Sequence, residues 1–376
     1  MGAGRMRGKA AWGVIIAVLA LVMGIRIARV YEPYTFLIGD CPYYTQAAIS
    51  ILTDGDLDLR NQLRGGLETH ARQVSLGARG EWYPKHPVLM PLLTVPLLRA
   101  LGMNAFLVFN VAVMLILAVA LYELSCLAAS PAAAAAGTLI LILGSFLILY
   151  DYNYSPDLFA CALLVLAVHA ALAGRGAVSG AMAGLSALAR TSNLFVLPLL
   201  GAYVLWKGGR RRAAAFTLAV IAPLSFQAAL NKAMFESPFI SPYMRILSIE
   251  EGRPAIRSHM NDFDNPLGRG ISGQLLDREK GLLFTAPVLL LALPGFIVWF
   301  RRRPDQAILC LGVAEFIFLL FSRYRWWPTS HAGNRFLMPL LALSAPAVAC
   351  SVESVLSRLR ARLDTPDAEP HIVIGQ

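Results

Sequence analysis

The chain has 376 residues, 57% of them apolar and only 15% charged, with a mean hydropathy of +0.59. A soluble domain carries about 25% charged residues, so the deficit identifies lipid as the main solvent and excludes an ordinary soluble globule. A net charge of +10 would suggest nucleic acid in a soluble protein, but most of the excess sits in short loops, as on the cytoplasmic side of a membrane protein, so no nucleic-acid partner is expected.

In chain order, residues 10–25, 106–129, 131–150, 158–173 and 287–300 are nearly free of charge. A spanning helix needs roughly 20 apolar residues at 1.5 Å rise, and stretches this long argue helices rather than barrel strands. Arg5, Arg7 and Lys9 precede the first stretch, which continues to about Val30 without a cleavage-like site; it is read as an uncleaved first helix. Basic clusters at Arg175, at Lys207 with Arg210, Arg211 and Arg212, at Arg301, Arg302 and Arg303, and at Arg358, Arg360 and Arg362 mark the cytoplasmic face. Segments 32–85 and 232–280 mix acids and bases almost evenly, as outer loops do. Five cysteines are scattered and give neither a disulfide framework nor a metal spacing.

Counting crossings between these anchors fixes the topology. A first helix at about 11–30 leads out, and helices at about 104–128, 131–150 and 153–173 bring Arg175 inside, so Asn104 lies outside. The apolar stretch 86–101 then begins and ends outside. It is short and carries Pro87, Pro91 and Pro96, which predicts a re-entrant or interface-lying helix. Residues 177–190 and 193–206 form a pair bent at Arg190, and helices near 212–231, 282–300, 306–322 and 335–351 complete about ten crossings. The expected fold is an all-α polytopic membrane protein with both termini cytoplasmic and interfacial helices in the first outer loop. Its transmembrane domain is 1–351 with outer loops 31–103 and 232–281, and 352–376 is a polar cytoplasmic tail.

The informative residues are polar groups at the apolar boundary. Asp40 stands about one turn past the first helix, after Gly39 and before an amphipathic pattern of Tyr44, Ala47, Ala48, Ile51 and Leu52. It reads either as an N-cap worth about 1 kcal/mol or as a carboxylate placed to take a proton from an acceptor hydroxyl. Residues 54–61 resemble a calcium loop, but Leu59 stands at position six and Gly65 at twelve, so they are read as a polar turn. Lys85 and His86 open the short helix, where a phosphate could bind or where a lysine merely snorkels. Arg190 at membrane depth needs a partner, and Asp157 is the candidate. Trp326 and Trp327 suit an aromatic belt, while Arg335 opens the last helix where an anionic head group could bind. The loop 234–279 is expected to cover the site, bringing Tyr243, Arg245 and His259 near an acceptor.

In this order the pieces resemble the GT-C superfamily of membrane glycosyltransferases, closest to bacterial relatives of protein O-mannosyltransferases and aminoarabinose transferases. The match rests on Gly39-Asp40-Cys41-Pro42-Tyr43-Tyr44, the Gly55-Asp56-Leu57-Asp58-Leu59 turn, His86-Pro87-Val88-Leu89-Met90-Pro91 and Pro156-Asp157. Further pieces are Gly184 through Arg190 to Ser192, Lys280 through Pro287, and Gly333-Asn334-Arg335 through Pro339. The chain departs from the family pattern at Cys41, where many members carry a second acid, and at Val88 and Leu89, where a second proline and a glycine are usual.

The resemblance implies a glycosyltransferase of the cell envelope, in the inner membrane with its site on the periplasmic side. Its partners would be a polyprenyl-phosphate sugar donor, an unidentified envelope acceptor and membrane lipid. Asp40 would be catalytic, Lys85, His86, Arg190 and Arg335 would bind the donor phosphate, and Tyr43, Tyr44 and Asp157 would contact substrate. Some members hold a divalent metal on paired acids; with Asp40 alone, no cofactor and metal-independent transfer are expected. The alternatives are a transporter or flippase of a lipid-linked saccharide and a non-catalytic subunit of an envelope assembly complex.

Overall fold

The computed structural model describes residues 2–30, 39–329 and 333–363. Residues 31–38, 330–332 and the tail residues 364–376 lie outside them.

Helix α1 (Gly2–Val30) is followed by α2 (Cys41–Thr53), a one-turn α3 (Leu67–His70), strands β1 (Val74–Leu76) and β2 (Trp82–Pro84), and α4 (Leu89–Leu101). The bundle continues with α5 (Asn104–Ser125), α6 (Pro131–Leu143), α7 (Pro156–Leu172), α8 (Gly176–Ala189) and α9 (Leu197–Phe235). Strands β3 (Ile246–Glu250) and β4 (Arg253–Arg257), helix α10 (Leu267–Leu276) and the single turn α11 (Leu282–Thr285) form the second long loop. Helices α12 (Leu289–Arg302), α13 (Pro304–Ser322), α14 (Met338–Leu343) and α15 (Ala345–Leu363) close the chain. This is a polytopic helical membrane fold.

Among the described residues four helical stretches are long and apolar enough to cross a membrane, within 10–29, 104–125, 191–235 and 304–322, and a fifth if α14 and α15, bent by 45°, count as one. The other expected crossings fall on helices of 13 to 17 residues. Breakers account for this. Gly144 ends α6 before a 3-10 turn at Phe146–Tyr150, Arg190 adopts an extended conformation after α8, and α9 loses helical geometry at Gly209 (φ 72°, ψ 179°), between the two helices expected there.

Helix α4 has 13 residues, about 20 Å, too short for the hydrocarbon layer of about 30 Å. It packs instead on α2, with Met90 and Leu98 against Tyr44 and Ala48, and Phe106 and Tyr154 beneath. Helix α15 extends twelve residues into the stretch assigned to the polar tail. Glu353 holds it there, accepting a hydrogen bond from the Ser130 amide at 2.7 Å and pairing with Arg302 at 2.6 Å.

The bundle is close-packed through small residues. A β-carbon on Gly295 of α12 would fall inside contact distance of the Ala347 carbonyl oxygen of α15, and one on Gly180 of α8 would strike the Phe216 carbonyl of α9. Only glycine lets these backbones approach so closely. Gly295→Leu is therefore expected to cost about 1–3 kcal/mol, read as an earlier thermal transition in detergent, with Gly295→Ala intermediate.

No strand was expected, yet the two long loops meet in a four-stranded sheet of order β2-β1-β3-β4. β1 pairs antiparallel with β2 (Val74↔Pro84, Leu76↔Trp82) and with β3 (Ser75↔Ile246), while β3 and β4 form a hairpin. Glu251 and Gly252, both at positive φ, make the tight turn such a hairpin requires. Ser75, fully buried, donates to the Pro242 carbonyl at 2.7 Å and ties the first loop to the second. The sheet roofs one end of the bundle, called here the loop end.

Candidate active site

Asp40 immediately precedes α2, but its side chain makes no capping hydrogen bond. Its carboxylate instead accepts from Arg335 Nη2 at 2.8 Å and lies 3.5 Å from His86 Nε2. The N-cap alternative is thus replaced by a contact across 295 positions of chain.

Arg335 reaches this point because Asn334, fully buried, caps the following 3-10 turn by accepting from the Phe336 amide at 3.2 Å. Asn334 is itself held by Gln274 of α10, which donates to Ser322 Oγ at 2.6 Å. Asn334 stood in the sequence only as part of the Gly333–Pro339 motif, and Gln274 was not singled out; a buried glutamine on a short loop helix leaves no local signal.

The guanidinium of Arg335 also stands 3.5 Å from Asp157, whose other oxygen pairs with Arg190. Asp157 is fixed by Ser155, which donates to it at 2.6 Å and caps α7. The expected Asp157–Arg190 pair therefore forms, but as part of a four-membered array of Asp40, Arg335, Asp157 and Arg190. Below it Arg190 lies over the stacked rings of Phe336 (4.9 Å) and Phe321 (5.4 Å). A small crevice at the array is lined by Asp157, Cys161, Arg190, Phe321, Arg335 and Phe336.

The remaining candidates are distributed around this centre. Lys85 is buried and donates to the Arg72 carbonyl at 2.5 Å. His86 stacks on Tyr44 at 5.0 Å between ring centroids, and its Nδ1 is 3.3 Å from the Tyr243 hydroxyl. The Tyr43 hydroxyl meets His70 Nδ1 at 3.1 Å. His70, not anticipated, contacts the Arg64 carbonyl through Nε2 at 2.8 Å, which makes Nε2 the protonated nitrogen and Tyr43 the donor to Nδ1.

Tyr243 stacks on His259, and His259 bridges Asp262 at 3.0 Å and the Tyr324 hydroxyl at 3.2 Å. The second loop thus covers the site through Tyr243 and His259, whereas Arg245 points into the sheet and donates to the Leu76 carbonyl at 2.8 Å. Trp327 is buried against Gly273 of α10, so it is part of the packing rather than of an aromatic belt. Cys41, at the position of the absent second acid, is buried and donates to Asn153 at 2.8 Å. Asp151, in the same turn, pairs with Arg26 of α1 at 2.9 Å.

Burial alone would raise the Asp40 carboxyl, but His86, Arg335 and Lys85 outweigh it and hold the group well below the usual carboxylate range. Burial pushes His86 down to about 4, against the pull of Asp40 and with the help of Lys85 and Arg335. At neutral pH the imidazole is uncharged, so the positive charge facing Asp40 comes from Arg335 and Lys85. Burial likewise lowers His259 to about 4, the Asp262 carboxylate opposing it, and raises the Tyr243 hydroxyl to about 12.

These shifts have a sign in stability. A histidine whose folded pKa lies below its unfolded value of 6.5 contributes stability that is complete above pH 6.5 and is lost as pH falls toward 4. Between pH 7 and pH 5 the His86 contribution falls by about 2 kcal/mol. His86→Gln is expected to flatten the acid side of the stability profile, measured by thermal denaturation across that range; an unchanged profile would show that His86 titrates normally.

Among the described residues no three His, Cys, Asp or Glu side chains gather as metal ligands would. Asp40 and Asp157 are the acids at the centre, and both are already engaged by arginine. That donor set does not fit a divalent cation.

No family model and no curated protein sequence matches the chain. Solved structures do. The structure of the aminoarabinose transferase ArnT from Cupriavidus metallidurans bound to undecaprenyl phosphate is similar at a TM-score of 0.59 and 15% identity, over 93% of this chain and 61% of that one. The archaeal oligosaccharyltransferase AglB from Archaeoglobus fulgidus, in complex with an inhibitory peptide and a dolichol-phosphate, is similar at 0.58 and 11% identity, over 94% of this chain and 51% of that one. At these identities the likeness is one of fold. The chain spans between half and about three fifths of the length of these neighbours.

Proposed function

We propose that this protein is a glycosyltransferase that moves a sugar from a polyprenyl-phosphate-linked donor to an acceptor hydroxyl or amine at the outer face of the cell membrane. The observation that carries the reading is the convergence of Asp40, Arg335, Asp157 and Arg190 where the loop end meets the apolar bundle. A lipid-linked phosphate needs cations at that boundary with apolar surface beside them, and the Phe321 and Phe336 rings against Arg190 are such a surface. The neighbours' undecaprenyl phosphate and dolichol-phosphate are ligands of that kind.

In this reading the donor phosphate engages Arg335 and Arg190, whose guanidinium planes suit phosphate oxygens. Asp40 then loses part of its compensating charge and becomes a stronger base. It accepts the proton of the acceptor as the acceptor oxygen or nitrogen attacks the anomeric carbon. The bond from that carbon to the phosphate oxygen breaks with its electron pair on the phosphate, where the two arginines stabilise the leaving anion. A single in-line displacement inverts the anomeric centre. Lys85 adds charge from behind His86, Tyr43 and Tyr44 line the approach to Asp40, and Asp157 aims the arginines. No metal enters this scheme. The basic clusters support a reading in which both termini and the tail face the cytoplasm and the loop end lies outside.

The test is reconstitution in sealed vesicles with radiolabelled polyprenyl-phosphate sugars and a membrane extract as acceptor source. Label transfer to an acceptor is expected. Label that crosses the bilayer still attached to its polyprenyl phosphate would instead favour a flippase.

A further inference from the structure

Helix α13 is 19 residues long and apolar enough to span, yet its twelfth residue is Glu315. The carboxylate is exposed, and it lies on a stripe with Ile308, Leu311 and Leu319, each more than two-fifths exposed. The spacing of three and four residues is that of a helix-packing seam. Seven residues separate Glu315 from Ser322, which puts it about 11 Å below the loop end of the helix, beyond easy reach of interfacial water.

Other acids in the long helices have partners. Glu123 accepts from Trp12 at 2.7 Å, Asp305 pairs with Lys207 at 2.9 Å, Asp157 with Arg190, and Glu353 with Arg302. Among the described residues no cation and no hydrogen-bond donor meets Glu315. A carboxylate in hydrocarbon is costly unless a donor or cation covers it. The apolar stripe around it supplies the packing surface, and the acid at its centre sets the chemistry of the occupant.

We infer that the Glu315 face of α13 is the docking seam for a transmembrane helix of another membrane protein, one carrying an arginine or lysine at matching depth. A second copy of this chain does not offer that charge. On its long apolar helices the described exposed cations toward the loop end, Arg29 of α1 and Lys232 of α9, stand within about 5 Å of the ends of those helices, well above the level of Glu315. The inference is independent of the proposed transferase reaction.

The full chain, labelled with a fluorescent donor, would be reconstituted with acceptor-labelled leucine–alanine spanning peptides. One peptide carries a single arginine in its outer third, a second carries it at the opposite third, and a third carries none. Energy transfer is expected to report about tenfold tighter association with the first peptide than with the other two. Glu315→Gln should reduce that preference to about twofold and Glu315→Leu should erase it, with both variants retaining the wild-type elution profile. A hydrophobic carbodiimide should modify Glu315 in the free protein and several-fold less once the first peptide is bound. Equal binding of all three peptides, or equal modification with and without peptide, would overturn the inference and leave an acid facing lipid. Energy transfer between copies that Glu315→Gln abolishes would overturn the choice of partner in favour of a dimer joined by a shared proton.

Discussion

Asp40→Asn is expected to lower sugar transfer by about a thousandfold, equivalent to about 4 kcal/mol of barrier, while leaving donor binding equal or slightly tighter. The amide keeps the size of the carboxylate and its acceptor oxygen for Arg335, so the turn before α2 should survive, and elution from size exclusion in detergent checks it. It cannot take a proton. It also leaves Arg335 with one fewer negative partner and therefore freer to hold phosphate. The expected signature is a collapse of turnover at saturating donor with no rise in apparent KM. A nucleophile that needs no deprotonation, such as azide, should recover a good part of the lost rate in the variant. Equal transfer by wild type and variant would remove Asp40 from the chemistry and leave it as a counter-ion to Arg335.

Removal of Asp157 should be felt first in stability. It is 4% exposed and faces both Arg190 and Arg335, so Asp157→Ala strands two largely enclosed guanidiniums, of which Arg335 retains Asp40 and Arg190 keeps only its ring contacts. Breaking a buried pair by deleting one partner costs about 3–5 kcal/mol, because the remaining charge is uncompensated. Thermal denaturation in detergent should show the loss. The double variant Asp157→Ala/Arg190→Met should recover much of it, since the unpaired charge is gone and a flexible apolar chain can rest on Phe321 and Phe336. If the single variant unfolds like wild type, or the double is no better than the single, Asp157 is not what holds Arg190 in place. The same double variant should remain inactive, which separates the stabilising role of the pair from the phosphate-binding role proposed for Arg190.

The site was legible in the sequence to the extent that lipid makes polar residues conspicuous. Asp40, Asp157, Arg190 and Arg335 drew attention because each interrupts or borders an apolar run, and a charge at that depth requires a partner. The Asp157–Arg190 pair followed from that requirement alone. The partner of Arg335 did not, because Asp40 lies 295 positions away and nothing local links them. His70 and Gln274 were invisible, and the capping role of Asn334 unread, for the same reason: each is an ordinary polar residue in a polar segment, and its importance comes from what the fold places against it.

By itself the sequence determined the solvent of the chain, the positions of the long apolar helices, the breaks at Arg190 and between residues 206 and 212, and the shortness of the helix within 86–101. These depend on hydropathy, length, proline and glycine, all of which act within a few residues. Only the tertiary structure decided that the two long loops share one sheet, that α15 runs on through Leu363, and that Asp40 faces Arg335 instead of capping its own helix. Strands of three to five residues carry too little periodicity to be read locally, and they are stable here because β1 and β3 pair across the chain over a packed bundle. Ion pairs within the protein are decided by which helix ends the packing brings together, and that is a property of the whole bundle.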